Sequence, residues 1–321
     1  MKSSVDFESA QDLPQLYALL DKIQVQNGWA KAKPAITPEP RHPFVPARWR
    51  YADTHAALHV AGRLVGTEWA ERRNLVMANP FEGNVYATVP TIVGAYQMVK
   101  AGETARSHRH TANAMRVVLD AGPGMSTIVD GLKVPMEPGD VLLTPNWSWH
   151  GHANEADSDA YWIDFLDAPL VIATGAVFFQ HHPDQNESAT KVDAASAMRF
   201  AFSDYLPRVL AAAEVAPGVR THVLGPAQLA TFDRVVIALR KGAKWELPRT
   251  SVNQIYTVVQ GSGRSRIGGQ QFDWNRGDMV AAPNWKAQEH EAAEDTILLR
   301  VSDEPLMRML NWSVGDAQLA G

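Results

Sequence analysis

A chain of 321 residues with 45% hydrophobic side chains is long enough for one large domain or two ordinary ones with well-buried cores. A net charge of −5 with both signs interspersed offers no basic stripe to nucleic acid, and no window approaches the roughly 18 apolar residues of a membrane span. The start "MKSSVDFESAQDL" lacks the apolar core of a secretory signal, so a cytoplasmic protein is expected, and with no cysteine any metal falls to the 11 histidines and the carboxylates.

In chain order, "DLPQLYALLDKIQVQNGW" sets Leu13, Leu16, Leu20 and Ile23 at helical spacing with Pro14 at an early helical position, and predicts a short N-terminal helix. "AKAKPAITPEPRHPFVPARWRY" (30–51) carries five prolines in 22 residues. That density forbids a long regular element and predicts an extended arm draped on another surface, a device that often supports oligomers. From about Pro90 the texture becomes short β-rich runs ("TIVGAYQMV", "AMRVVL", "STIVDG", "DVLLTP", "AYWIDFL") broken by Gly, Pro and Asp, the pattern of a barrel or sandwich. A helical, proline-containing stretch at roughly 193–231 separates these from further strands that begin at "FDRVVIALRKG".

The two β-rich parts are copies. "DGLKVPMEPGDVLLTPNWSWHGHANEAD" (130–157) matches "GGQQFDWNRGDMVAAPNWKAQEHEAAED" (268–295) at an offset of 138, sharing Gly131/Gly269, Gly139/Gly277, Asp140/Asp278, Pro145/Pro283, Asn146/Asn284 and Trp147/Trp285. Gly-Asp followed by Pro four residues after the Asp-flanked strand start reads as turn, strand and turn, the way a jelly roll folds back. The expected fold is all-β: residues 1–85 lead in as helix and arm, 86–175 form a first barrel, 176–225 a linker with a helix, and 226–321 a second barrel.

In an extended strand, His108 and His110 share a face and can reach one ion inside a barrel. Gly102 precedes them by six, and Pro138-Gly139-Asp140, Pro145, His150 and Asn154 follow. This two-part pattern, G-x5-H-x-H and P-G-D-x4-P-x4-H-x3-N, resembles the cupin superfamily. The positions four and five past His110 hold Ala114 and Met115, so no carboxylate completes the set of His108, His110 and His150. Three neutral imidazoles leave a divalent ion with uncompensated charge and open positions, which suits an anionic chelating substrate; imidazoles alone equally allow Zn or Mn.

Arg116 shares the parity of the pair, so a regular strand sends it into the same barrel, where an unpaired guanidinium is costly. An incoming carboxylate would partner it; the alternative is an internal salt bridge to Asp or Glu. His152 would face the cavity as an acid/base or supporting donor, or else lie on the solvent-exposed rim. In "YWIDFLD", Asp164 alternates with Ile163 and Phe165 and needs a partner on its own face, such as a ligand or a supporting histidine.

Carried further, the offset of 138 puts Glu246 opposite His108, Pro248 opposite His110, Gln254 opposite Arg116 and Gln288 opposite His150, with only His152 matched by a histidine, His290. The second barrel is therefore expected to be metal-free, at one metal per chain.

Together with these residues, "ERRNLVMANP" (71–80), "AYQMVKAGETARSHRHTANAMRVVL" (95–119), "TIVDGLKVPMEPGDVLLTPNWSWHGHANE" (127–155) and "YWIDFLDAPLV" (161–171) make the chain similar to the gentisate 1,2-dioxygenase family, which includes salicylate and 1-hydroxy-2-naphthoate dioxygenases. The resemblance implies a bicupin, Fe(II) as the metal, and an extradiol-type reaction with O2. The ring would bind through carboxylate and ortho-hydroxyl and be cleaved between the carbons that carry them. Gentisate is the first choice, with a salicylate bearing another substituent or 1-hydroxy-2-naphthoate as alternatives; a ligand-binding cupin without catalysis is the reading from another class. The resemblance also implies that Gln97 and Arg72 or Arg73 touch the substrate, although those arginines could instead hold the arm to the barrel, and it implies a homo-oligomer, tetramer or dimer. Gly151 stands where the family pattern has Asp, and Val93 and Ala95 line the approach to Gln97.

Overall fold

The computed structural model describes residues 4–29, 36–67, 69–225 and 229–319. The expected N-terminal helix is α1 (Leu13–Lys22), capped by the Asp12 carboxylate, which accepts from the Gln15 amide at 2.8 Å. Chain up to His42 forms a unit of its own, in which Trp29 Nε1 donates to Tyr17 Oη at 3.1 Å. Part of the expected arm, residues 30–35, lies outside the described residues.

The second unit runs from Pro43. It opens with β1 (Ala47–Trp49), α2 (Tyr51–Leu64) and β2 (Arg73–Val76). The helix α2 was not expected after so many prolines; it buries Tyr51, Thr54, Leu58 and Gly62, a helical spacing that starts right where the prolines end. The first barrel follows: β3 (Val93–Val99), β4 (Thr104–His110), β5 (Ala114–Asp120), β6 (Met125–Val129), β7 (Leu132–Pro135), β8 (Val141–Thr144), β9 (His150–Asn154) and β10 (Ala160–Leu166). Next come α3 (Ala168–Ala173), β11 (Phe179–His181), β12 (Lys191–Val192), β13 (Arg199–Phe200), α4 (Phe202–Ala211), β14 (Glu214–Ala216) and β15 (Val219–Val223). The second barrel has β16 (Asp233–Leu239), β17 (Lys244–Leu247), β18 (Gln254–Gln260), β19 (Ser262–Ile267), β20 (Gln270–Asn275), β21 (Met279–Ala282), β22 (Gln288–Ala292) and β23 (Thr296–Ser302), and α5 (Glu304–Met309) and α6 (Asp316–Leu319) close the described chain.

Each barrel is two facing sheets. In the first, β13-β8-β5-β10-β3-β2 faces β11-β4-β9-β6-β7-β12; in the second, β1-β21-β18-β23-β16-β15-β14 faces β17-β22-β19-β20. Strand alternation sorts the side chains as the sequence parity requires. Met115 and Val117 of β5 and Ile163 and Phe165 of β10 leave the first barrel and pack with Ile255, Met279 and Leu299 in a core shared by the two barrels. Val118, Met125, Leu142 and Trp162 turn inward and fill part of the first barrel.

The strand pairing corrects the expected linker and arm. β11, β12 and β13 are edge strands of the first barrel and β14 and β15 extend the second, while β1 pairs with β21 of the second barrel although it precedes the first. The exchange is reciprocal. The Tyr51 amide at the start of α2 donates to Asp278 in the second barrel at 2.8 Å, and the Phe202 amide at the start of α4 donates to Asp140 in the first at 2.9 Å. The rings of Tyr51 and Phe202 cover Gly277 and Gly139, both at positive φ, where a Cβ would sit 2.5 and 2.7 Å from ring carbons. Arm and linker are thus one repeated strand–helix device, each lent to the other barrel.

The pairing also corrects the offset. Arg116 lies opposite Leu142 and Tyr256 opposite Val280, so with 142 matched to 280 the counterpart of Arg116 is Tyr256, 140 residues on, and not Gln254. His110 and Thr250 likewise correspond, since their carbonyls accept from the Trp147 and Trp285 amides at 2.8 and 2.7 Å. Leu247, not Glu246, pairs with Gln288, where the first barrel pairs His108 with His150. The two extra residues lie in the turn between β5 and β6: Met125 and Gly263 correspond, opposite Asn154 and Ala292, so 121–124 stand where the second copy has only Gly261 and Ser262. Both tryptophans hold the left-handed backbone, φ 66° and 59°, that follows Pro-Asn in each copy.

Candidate metal centre and ring pocket

His108 on β4 and His150 on β9 are directly paired across the sheet, and His110 ends β4 two residues on. One ligand atom from each of the three lies within 4.8 Å of the others. Each ring is anchored at Nδ1: His110 against the Ala112 carbonyl at 2.8 Å, His150 against the Ser148 carbonyl at 3.0 Å, and His108 against Glu71 Oε2 at 3.1 Å with the Arg106 carbonyl at 3.4 Å. A proton on Nδ1 in each ring leaves Nε2 as the lone pair that can bind an ion. Burial lowers all three, His110 to about 4 and His150 well below the usual imidazole value, with mutual repulsion adding to it; at His108 the fall is partly offset by Glu71. The rings are therefore neutral at neutral pH, the state in which imidazole is a ligand. The set fits a divalent transition metal with positions left open for small ligands.

Arg116 faces the same interior and is 1% exposed. Of the two alternatives for Arg116, the internal ion pair is present: its Nε lies 3.2 Å from Asp164 Oδ1, without hydrogen-bond alignment, because Arg116 and Asp164 sit directly opposite on β5 and β10. Nη1 donates to Thr127 Oγ1 at 3.0 Å and contacts His152 Nε2 at 3.2 Å, and Nη2 donates to Thr144 Oγ1 at 3.1 Å. Of the four Nη donors of the guanidinium, one N–H on Nη2 remains uncommitted. Asp164 also accepts from Trp162 Nε1 at 3.0 Å, so its contacts are with Arg116 and Trp162 and it supports no histidine. His152 is 1% exposed, which removes the rim alternative. Burial first, and then the Arg116 charge, hold it well below the usual imidazole value, so it is neutral.

Gln97 is buried on β3, and its Oε1 accepts from Arg72 Nε at 3.1 Å. Arg73 goes elsewhere: its guanidinium donates to the Val65 carbonyl and to the Glu103 carboxylate, which ties the end of α2 to the barrel. Glu71, Thr127 and Thr144 belong to the site and were not singled out from sequence. The threonines carry no motif. Glu71 stands in "ERRNLV", where a lone acid before two arginines reads as their partner rather than as a histidine's. The Glu71 carboxyl is held below its usual range: burial raises it, and the neighbouring His108 N–H and the Arg72 charge outweigh that. A cavity of about 480 Å³ opens beside this group, bordered by Trp69, Glu71, Arg72, Arg106, His108 and Phe179.

The second barrel offers no such set. Gln288 occupies the His150 position, and Tyr256 replaces Arg116 with its hydroxyl 2.5 Å from Gln254 Oε1 and 2.8 Å from Gln288 Oε1. His290, the counterpart of His152, takes Ser265 Oγ at 2.8 Å. Among the described residues, the first barrel alone gathers three potential metal ligands.

Two jelly-roll barrels in one chain, with an imidazole triad in one and, among the described residues, a closed polar plug in the place of that triad in the other, define a bicupin. The cupin domain model matches residues 95–166. A 5-aminosalicylate 1,2-dioxygenase of Comamonas sp. is 32% identical over 93% of this chain and 88% of its own, and gentisate 1,2 dioxygenase 1 of Aquipseudomonas alcaligenes 26% over 93% and 94%. The crystal structure of a salicylate 1,2-dioxygenase from Pseudaminobacter salicylatoxidans superposes with a TM-score of 0.86 at 26% identity, covering 95% of this chain and 97% of that one. The chain belongs to the gentisate 1,2-dioxygenase family of ring-cleaving dioxygenases.

Proposed function

We propose that this chain binds one Fe(II) at His108, His110 and His150 and opens gentisate between the carboxyl- and hydroxyl-bearing carbons with O2. The observation that supports it most is the charge balance of the pocket. Arg116 and Arg72 are matched by Asp164 and Glu71, and the three imidazoles are neutral, so the protein leaves a divalent charge for the ligand to neutralise. A 2-hydroxybenzoate that has given up its hydroxyl proton carries two negative charges and meets that requirement. Bound Fe(II) supplies a Lewis acid that the ring's carboxylate and hydroxyl can chelate, together with the redox capacity that dioxygen chemistry needs.

The chain's own residues position the ring. The uncommitted Nη2 N–H of Arg116 donates to the substrate carboxylate, Gln97 and Arg72 flank the ring, and Asp164, Thr127 and Thr144 hold the guanidinium in place. Neutral His152, in the same interior, passes the hydroxyl proton on rather than keeping it, because burial and the Arg116 charge disfavour an imidazolium there. Arg73 fixes the segment and does not touch the ring. Val93 and Ala95, on the strand that carries Gln97, bound which ring substituent fits. A homo-oligomer, tetramer or dimer, is supported by exposed Val177, Phe178 and Phe179 beside exposed Trp147. The reducing cytoplasm is the setting in which a ferrous ion on imidazoles persists.

Anaerobic loading with Fe(II), followed by oxygen uptake with gentisate, salicylate, halo-, amino- and nitro-salicylates and 1-hydroxy-2-naphthoate, tests the reading. Fastest uptake with gentisate supports it, fastest uptake with another ring moves the assignment to that ring, and bound iron without uptake on any of them refutes it.

A further inference from the structure

We propose that Glu71 is the positioning residue of the metal centre, the side chain that sets the ring of His108 toward the ion. The inference rests on the metal-dependent reading above, which uses Glu71 only to balance the Arg72 charge, and gives that residue a role at the ion itself. His110 and His150 are oriented by backbone carbonyls, which no substitution removes. His108 differs. Its Nδ1 faces two oxygens, Glu71 Oε2 at 3.1 Å and the Arg106 carbonyl at 3.4 Å, and has one proton to give. The Arg106 carbonyl is the aligned hydrogen-bond acceptor, while Glu71 is nearer and charged but off the N–H direction, so it acts on the ring by its charge, which favours the proton on Nδ1. A carboxylate behind a ligand imidazole fixes its tautomer and rotation and strengthens its Nε2 as a donor.

Glu71 is free to serve this way because its neighbours do not consume it. Arg72 Nη1 stands 3.8 Å from the same oxygen while its Nε is spent on Gln97, and His181 Nδ1 lies 3.4 Å from Oε1 without hydrogen-bond alignment. Arg73, the next residue, is engaged by Glu103 instead. The bend before β2 therefore does two things with adjacent side chains: Glu71 reaches a metal ligand and Arg72 reaches the ring pocket through Gln97. A shift of this bend would disturb both together.

The test needs neither substrate nor oxygen. The full chain, stripped of metal, is titrated with Co(II), followed by the visible absorption of the bound ion and by competition with a chelator. Glu71→Ala should raise the Co(II) dissociation constant about 10- to 100-fold and change the spectrum. Glu71→Gln, which keeps an acceptor oxygen and loses the charge, should raise it less, and Glu103→Gln, which loosens the same segment without touching His108, should stay within twofold of the parent. Affinity of Glu71→Ala within twofold of the parent, or an equal loss in Glu103→Gln, overturns the proposal. If Glu71→Ala does not fold, an unchanged Co(II) affinity and spectrum in Glu71→Gln overturns it. Because the readout is metal binding alone, failure here leaves the oxygen-uptake result standing, and failure of oxygen uptake leaves this result standing.

Discussion

Replacing Arg116 by Met separates two roles that the site assigns to one side chain. The guanidinium is fully buried and lies 3.2 Å from Asp164, so its loss strands a carboxylate whose remaining partner is Trp162 Nε1 at 3.0 Å. Breaking a buried pair from one side costs about 3–5 kcal/mol, because the surviving charge stays desolvated. The Thr127 and Thr144 hydroxyls lose their donors as well, each worth about 1 kcal/mol. Asp164→Leu alone should cost a similar amount by orphaning the guanidinium, while Arg116→Met with Asp164→Leu should recover most of it, since an apolar pair of similar volume replaces the ions. Urea unfolding of the four proteins measures this. Ring binding divides differently: every variant without Arg116 should bind the aromatic acid about 2–4 kcal/mol more weakly whatever its stability. Strictly additive losses in the double variant, or a Kd for the ring unchanged by Arg116→Met, would refute the account.

Three further outcomes follow from the same structure. His150→Ala should abolish metal binding, whereas Gln288→Ala at the matched position should leave it intact and cost only the Tyr256 hydrogen bond, about 1 kcal/mol; loss of metal in both would contradict a single competent barrel. Burial raises Asp303 from 3.8 to about 6, so its favourable share of stability is full below pH 4 and is lost as pH rises through 6, about 3 kcal/mol in all. The unfolding free energy of the parent minus that of Asp303→Asn should therefore fall between pH 4 and 7, and parallel profiles would count against it. Gly277→Ala should destabilise by several kcal/mol, because φ is +84° and the Tyr51 ring stands 2.5 Å from the new Cβ, while Gly269→Ala, at φ +86° in open space, should cost only about 1–2; equal costs would show that the ring gives way.

Much of the centre was legible because period and repeat are local properties. Parity on one strand placed His108, His110 and Arg116 inside a barrel, and the copy lacking them marked them as a group. What parity could not supply was register between strands. Nothing in "AMRVVL" and "YWIDFL" says that Arg116 faces Asp164, so the guanidinium's partner stayed open until the pairing was known. The copy itself misled by two residues, since an offset read where Gly, Asp and Pro coincide was carried across a turn of unequal length, and Gln254 was matched to Arg116 in place of Tyr256. The arm and linker were misread for a related reason. Prolines and a helical stretch describe chain between barrels, but which barrel a segment edges depends on contacts more than 200 residues apart, such as Tyr51 with Asp278.

The reciprocal exchange gives the barrel without the imidazole triad a reason to persist. Asp303 of the second barrel accepts from Thr91, which leads into β3 and Gln97, at 2.6 Å, while Asp167 of the first accepts from Thr231, which leads into β16, at 2.5 Å. Each aspartate also holds an asparagine of its own barrel, Asn253 and Asn113, whose side-chain oxygens receive the amides of Asn284 and Asn146. The Asn146 turn carries the chain on to His150, and Gln97 belongs to the strand that Thr91 begins. The outer face of β5, whose inner face carries Arg116, packs against Ile255, Met279 and Leu299. The second barrel therefore needs no ligand set of its own, but it cannot be removed without releasing one end of the strand that bears Gln97 and the support behind Arg116. Polar residues in its interior are free to become a plug of Gln254, Tyr256 and Gln288, while Asp278, Gly277 and Asp303 on its outer contacts remain bound to the first barrel's geometry.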